Sequence, residues 1–389
     1  SSCRRGISPK DRRRSGWVDG AHSRDHMMPE QFSKAVRSPV RHLTRADLFL
    51  FARTVAIGVV GGAIFTALNL PLPWMMGAMA ATGSLTLAKV EMAMDTRLRT
   101  LMILVLGVLL GSAFSPEILD RIALWPITLA ALAGYVFVST ITVYLFFRFV
   151  AGFDRKTAFF SGVPGGLNEM VILTQAAGGD ERQVSVMHTT RIFLVVMTLP
   201  FMFRILDDFD PSLRTFGTSA GGIDVLDIVI LATSAVIGYY AARMARIPAP
   251  HLTGPMIVSA AVHLTGLTSA APPVIVVATA QVILGSAVGA RFAGLTFRDL
   301  GRILRLGGTA TLILLTISAI FAIVLQAVTD IPFESLILAF SPGGLTEMSL
   351  VALALEIDTA FVATHHIARI SVVVIAVPFL FKFLNRDDN

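Results

Sequence analysis

Twelve apolar runs, each near the length of a membrane crossing, limit what this chain can become. They fall at roughly 46–69, 71–88, 99–115, 122–148, 157–177 and 183–206, then again at roughly 223–243, 249–267, 272–292, 306–329, 332–355 and 360–384. About 20 apolar residues in a helix cross a hydrocarbon layer of about 30 Å. No soluble globule needs so many in series. With 54% hydrophobic residues, only 15% charged and a mean hydropathy of +0.72, the chain is expected to be an all-α polytopic membrane protein.

The second set of six runs copies the first. Pro71, Pro73 and Gly77 return as Pro248, Pro250 and Gly254, an offset of 177. At an offset of 178, Gly107, Gly111 and Phe114 return as Gly285, Gly289 and Phe292, and Asp180, Pro200 and Phe201 as Asp358, Pro378 and Phe379. We therefore expect two membrane repeats, 46–206 and 223–384, joined by a polar linker at 207–222 and preceded by a tail, 1–45.

The most specific duplicated stretch is Pro164-Gly165-Gly166-Leu167-Asn168-Glu169-Met170, which returns as Pro342-Gly343-Gly344-Leu345-Thr346-Glu347-Met348. Proline removes a backbone donor and the paired glycines loosen the chain, so each copy should break its helix where protein or water satisfies the freed groups. Glu169 and Glu347 then place carboxylates in apolar segments, where an ionisable group is costly and a functional candidate. The plainer reading is that each carboxylate complements the dipole of the half-helix it begins; both readings stay open.

Downstream, Asp180 with Gln183 has capping-box spacing and Asp358 stands at the equivalent place, so helix caps are expected at both. Along the helices they begin, His188 and Arg191, and likewise His366 and Arg369, stand three apart on one face. The arginines either pair with Glu169 and Glu347 or bind an anionic solute; the structural pair is slightly favoured. The histidines either relay protons or simply hold a backbone carbonyl, the commoner role. His365 has Met187 as its counterpart, which argues against matched metal sites. The candidate set for solute or ion binding is thus Pro164, Gly165, Gly166, Asn168, Glu169, His188, Arg191, Pro342, Gly343, Gly344, Thr346, Glu347, His366 and Arg369. No catalytic signature is present, and no cofactor or metal is expected. The two G-x-x-x-G spacings most simply mean close helix packing.

Basic residues decide the orientation of the repeats. If the Pro-Gly-Gly run enters and leaves on one face, each repeat has five crossings and the copies are inverted. Lys89, Arg97, Arg99, Arg148, Arg155, Lys156, Arg182, Arg243, Arg246, Arg291, Arg298, Arg302, Arg305, Lys382 and Arg386 then lie in the cytoplasm, leaving Arg121, Arg204 and Arg214 outside. With six crossings Arg243 and Arg246 move outside. The inverted arrangement, with about ten transmembrane helices and both termini cytoplasmic, fits better.

Residues 1–45 hold eleven Lys/Arg against four Asp/Glu, a net of +7 in a chain of net +6, which leaves the remainder at −1. With no zinc-finger spacing, the tail reads as a disordered cytoplasmic lead-in and not as a nucleic-acid-binding arm. Removing residues 1–26 is expected to leave insertion intact, since Arg37, Arg41 and Arg45 remain. Its first methionines are Met27 and Met28, and its one cysteine, Cys3, excludes a disulfide framework.

A six-run unit carrying P-G-G-L-x-E-M, then D-x(7)-H-x-x-R-I and a late Pro-Phe, present twice over residues 46–384, resembles the AbrB family of bacterial membrane proteins with an internal duplication. Members carry two labels, ammonia monooxygenase and membrane regulator of gene expression. The oxygenase label needs a redox metal, which this residue set does not suit. The regulatory label names a cellular consequence and leaves the membrane chemistry open. The expected function is a secondary carrier of the bacterial inner membrane for a small, anionic solute, driven by H+ or Na+. A membrane-bound sensor is the alternative.

Overall fold

A computed structural model of the chain describes residues 45–114, 125–206, 224–295 and 297–384. Residues 1–44 of the tail expected at 1–45, and the linker expected at 207–222, lie outside the described residues. From Phe49 onward the chain forms one compact unit. Its first half supplies α1 (Arg45–Ala67), α2 (Pro73–Leu87), α3 (Thr96–Ser112), α4 (Trp125–Leu145, extended by a π-helical turn at Phe146–Val150), α5 (Arg155–Gly162), α6 (Leu167–Ala177) and α7 (Glu181–Leu206). The second half supplies α8 (Val225–Met244), α9 (Pro250–Leu264), α10 (Val274–Gly289, closed by a 3-10 turn at Ala290–Phe292), α11 (Phe297–Thr329), α12 (Phe333–Phe340), α13 (Leu345–Ala354) and α14 (Thr359–Leu384).

The helix limits follow from local chemistry. Pro73 and Pro250 stand at the first positions of α2 and α9, where the missing amide costs nothing, behind Leu72 and Ala249, both left-handed at φ 45° and 50°. Asp154 begins α5 by accepting the amides of Lys156 and Thr157 at 3.0 Å each. The caps expected at the starts of α7 and α14 are present: Asp180 accepts the Gln183 amide and Asp358 the Phe361 amide, both at 2.9 Å.

Seven of the described helices are long and apolar enough to cross a membrane, among them Trp125–Val150, Glu181–Ile205, Val274–Phe292 and Asp299–Thr329. Three others expected to cross are shorter: α2 and α9 have 15 residues and α3 has 17, about 22–26 Å of helix. For α2 and α9 the apolar runs overstated the helix by counting turn residues at either end.

Glycine sets how closely the halves approach. A Cβ on Gly107 would lie 2.6 Å from the Leu252 carbonyl oxygen, and one on Gly111 would lie 2.5 Å from that of Met256. Four residues along α3 match four along α9, so these two helices run parallel. Gly285 against Met75 and Gly289 against Met79 repeat the relation for α10 and α2. By contrast α1 and α2 are antiparallel, since Gly58 faces Ala78 and Gly62 faces Trp74. The G-x-x-x-G spacings are thus interfaces where backbone meets backbone.

Candidate functional site

Both Pro-Gly-Gly runs break their helices as expected. Between α5 and α6, Val163 is extended (ψ 127°) and Gly166 precedes α6 with φ −68° and ψ 137°. Between α12 and α13, Ser341 and Gly344 adopt nearly the same angles. The glycines serve space more than backbone freedom, since none of the four has a positive φ. A Cβ on Gly165 would meet Val373 at 2.8 Å, and one on Gly343 would meet the Met348 side chain at 2.5 Å. On Gly166 or Gly344 it would strike the Oε2 of Glu169 or Glu347. Each glutamate therefore folds back over the start of its own half-helix, as the dipole reading requires.

Arg191 and Arg369 are not paired with these glutamates, which corrects the slightly favoured expectation. Arg191 donates from Nη1 to the Val163 carbonyl (3.2 Å) and from Nη2 to that of Gly165 (3.1 Å). Arg369 donates to the carbonyls of Ser341 and Gly343, the latter at 2.7 Å. A helix broken by Pro164 or Pro342 leaves carbonyls at its C-terminal end without intrahelical donors, and a two-pronged guanidinium meets two of them while complementing the negative end of the dipole. Both arginines are buried, at 5% and 2% exposure. Sequence reasoning weighed only carboxylates and solutes as partners and overlooked carbonyls, the acceptors that a proline break itself creates.

The histidines join the same clamps. His188 Nε2 lies 2.8 Å from the Phe160 carbonyl and His366 Nε2 lies 3.0 Å from that of Leu338. A carbonyl only accepts, so Nε2 carries the hydrogen in both. The His366 Nδ1 then accepts from Arg369 Nη2 at 3.0 Å. His365 belongs elsewhere: its Nε2 meets the Thr128 hydroxyl and its Nδ1 the Phe361 carbonyl, both at 2.8 Å.

A cavity of about 140 Å3 lies where the starts of α6 and α13 converge, and it is lined from both copies of the motif: Gly166, Asn168 and Glu169, with Gly344, Thr346 and Glu347. The candidate residues thus separate by role. The arginines, the histidines and the motif's Pro164, Gly165, Pro342 and Gly343 shape the two tips behind the cavity; Gly166, Asn168, Glu169, Gly344, Thr346 and Glu347 face it. Three further polar residues on its wall were not among the candidates: Arg99 on α3, Thr189 on α7 and Arg291 in the turn after α10. Larger recesses, about 380 Å3 beside Asp180 and Arg302 and about 310 Å3 beside Trp125 and Asp358, contain neither motif copy. Size favours those recesses, but the smaller cavity holds the duplicated charge, and for that reason we take it as the site.

A chain whose described elements are helices, seven of them of crossing length and closed around two broken helices, is a polytopic membrane protein. It belongs to the AbrB family: the family described as "Transition state regulatory protein AbrB" matches residues 74–385, in agreement with the resemblance carried by the motifs. It is similar to "Uncharacterized protein YhjN" of Bacillus subtilis (strain 168), 27% identical over 370 residues, covering 85% of this chain and 92% of that protein. It is also similar to "Putative regulator AbrB" of Escherichia coli (strain K12), 23% identical over 337 residues, covering 82% and 92%. No solved structure matches it.

Proposed function

We propose that the protein is a secondary carrier of the bacterial inner membrane that moves a small anionic solute with H+ or Na+. The observation that carries this reading is the cavity of about 140 Å3 formed jointly by the two Pro-Gly-Gly-Leu-x-Glu-Met stretches. Broken helices whose ends meet inside a membrane domain suit transient solute binding, because the unpaired backbone groups line a cavity and avoid lipid. In this reading each repeat has five crossings, and the hairpins α5–α6 and α12–α13 enter from opposite faces without crossing.

The parallel packing supports the inverted arrangement. In this reading α2 and α3 are successive crossings of opposite direction. Helix α9, the counterpart of α2, runs the same way as α3, and hence against α2. The two repeats then have opposite sense, as inverted-repeat carriers do. The basic loops lie in the cytoplasm in this arrangement, together with both termini.

A sensor that affects gene expression is the second reading, and the printed names of the family and of the Escherichia coli relative favour it. Occupancy of the same cavity would be its signal. Flux separates the two. Metabolites that differ between a deletion strain and wild type are tested for uptake into proteoliposomes of the purified full-length protein. Protein-dependent movement of at least one against its gradient, driven by a proton or sodium gradient, is the expected result; binding without movement for every such metabolite overturns the carrier.

A further inference from the structure

We propose that Arg99, Arg291 and Thr189 form the solute-recognising wall of this cavity and that the solute is a small monocarboxylate, a proposal that rests on the carrier reading for its transport but not for its binding. The residues duplicated between the repeats give the cavity its symmetric part. The cations break that symmetry, for the positions matching Arg99 and Arg291 are Val277 and Ala113. Both guanidiniums nevertheless reach one cavity, where Arg99 and Glu347 are the charges facing Arg291.

Charge fixes the valence of the ligand. Glu169 and Glu347 contribute two negative charges and Arg99 and Arg291 two positive ones. The starts of α6 and α13 each add about half a positive charge, which leaves the cavity near +1. One monoanion neutralises it; a dianion overshoots. Glu347 offsets part of the Arg291 charge, and two guanidinium forks on one cavity wall suit an incoming oxyanion.

The wall also fixes shape. Thr189 is 2% exposed and its Oγ1 has no hydrogen-bond partner, although it lines the cavity. A buried hydroxyl without a partner is uncommon and costly, and a ligand oxygen would satisfy it. Ile103, Ile192, Leu284 and Val288 line the same cavity. That apolar lining suits a stem of one to a few carbons and gives nothing to a phosphate or sulfate, which has polar oxygens all round. The planar carboxylate also matches the guanidinium fork.

The test uses the purified full-length protein in detergent, with thermal unfolding followed in sodium acetate and sodium lactate against sodium chloride, sodium phosphate and choline chloride at equal ionic strength. Acetate or lactate is expected to raise the unfolding temperature of the wild type while phosphate and choline do not. Arg99→Gln and Arg291→Gln should weaken that binding about tenfold or more, Arg99→Lys less, and Arg97→Gln, an exposed neighbour outside the cavity, not at all. The Lys variant keeps the test valid if a Gln variant fails to fold. No carboxylate effect in wild type, an equal effect in the Arg99 variants, or an equal loss in Arg97→Gln overturns the proposal. Flux of another solute class without carboxylate binding defeats this inference and spares the carrier; carboxylate binding without flux does the reverse.

Discussion

Arg369 holds the carbonyl of Gly343 at 2.7 Å across 26 residues of chain, and Arg191 holds that of Gly165 across the same interval at 3.1 Å. Each guanidinium ties a long helix, α14 or α7, to the tip of the hairpin before it. Pro-Gly-Gly alone would leave these tips free to move; the clamps fix where the starts of α13 and α6 point, and so fix the cavity.

Removing a clamp should therefore cost stability directly. Arg191→Gln or Arg369→Gln leaves two buried carbonyls without donors, each loss about 1–3 kcal/mol, so a total near 3 kcal/mol is expected from unfolding in detergent. Lysine should restore little, because one ammonium does not span two carbonyls as the fork does. Since Glu169 is not the partner, Glu169→Gln and Arg191→Gln should add to within about 0.5 kcal/mol. A double variant more stable than Arg191→Gln alone would show a pairing that the geometry lacks.

The parallel interfaces make a second prediction. Gly107→Ala places a methyl group 2.6 Å from the Leu252 backbone oxygen, and backbone cannot yield as a flexible side chain can. A loss of roughly 1–3 kcal/mol is expected. Gly301, on α11, has nothing within 4 Å of an added Cβ, so Gly301→Ala should be neutral or stabilise by up to about 1 kcal/mol. Equal effects at the two positions in thermal unfolding would mean that α3 and α9 do not approach as described.

Much of the fold was legible because proline, glycine and aspartate act locally. Pro73 and Pro250 start helices, Asp180 and Asp358 cap them, and Pro164 and Pro342 stop them, whatever surrounds them. The offset of 178 carries Arg155–Gly162 onto Phe333–Phe340 and Glu181–Leu206 onto Thr359–Leu384. The site was only half legible, since comparison of the copies finds what they share. Arg99 and Arg291 have Val277 and Ala113 as counterparts and were read only as loop charges that orient the chain. They reach the cavity because α3 and α10 pack beside the hairpins, a tertiary relation that no spacing encodes. Thr189 gave no signal at all, one threonine among many on apolar helices.

Sidedness gives a third prediction, drawn from the inverted arrangement. Reporter fusions after Lys89, Arg155 and Arg302 should report cytoplasm, and fusions after Ser269 and Asp330 the outer side. The Arg302 fusion is decisive, since it lies in the second repeat, where the parallel and inverted arrangements differ. An external signal there would remove the inverted reading.

The two glutamates supply the last test, because the dipole role and the coupling role predict different outcomes in different assays. Each carboxylate lies over the start of its own half-helix, so Glu169→Gln or Glu347→Gln should lower stability by only about 0.3–1 kcal/mol. The same change removes one negative charge from the cavity, raising its balance from about +1 to about +2. Binding of a monocarboxylate should then tighten, roughly tenfold for a partly screened charge a few ångströms away. Net flux should nevertheless fall in proteoliposomes, since the amide keeps the shape but neither titrates nor balances a sodium ion. Tighter binding with lost gradient-driven flux is the expected combination. Unchanged binding would show that the glutamates do not share the ligand's field, and wild-type flux in both Gln variants would remove them from coupling and leave them only the helix starts they cover.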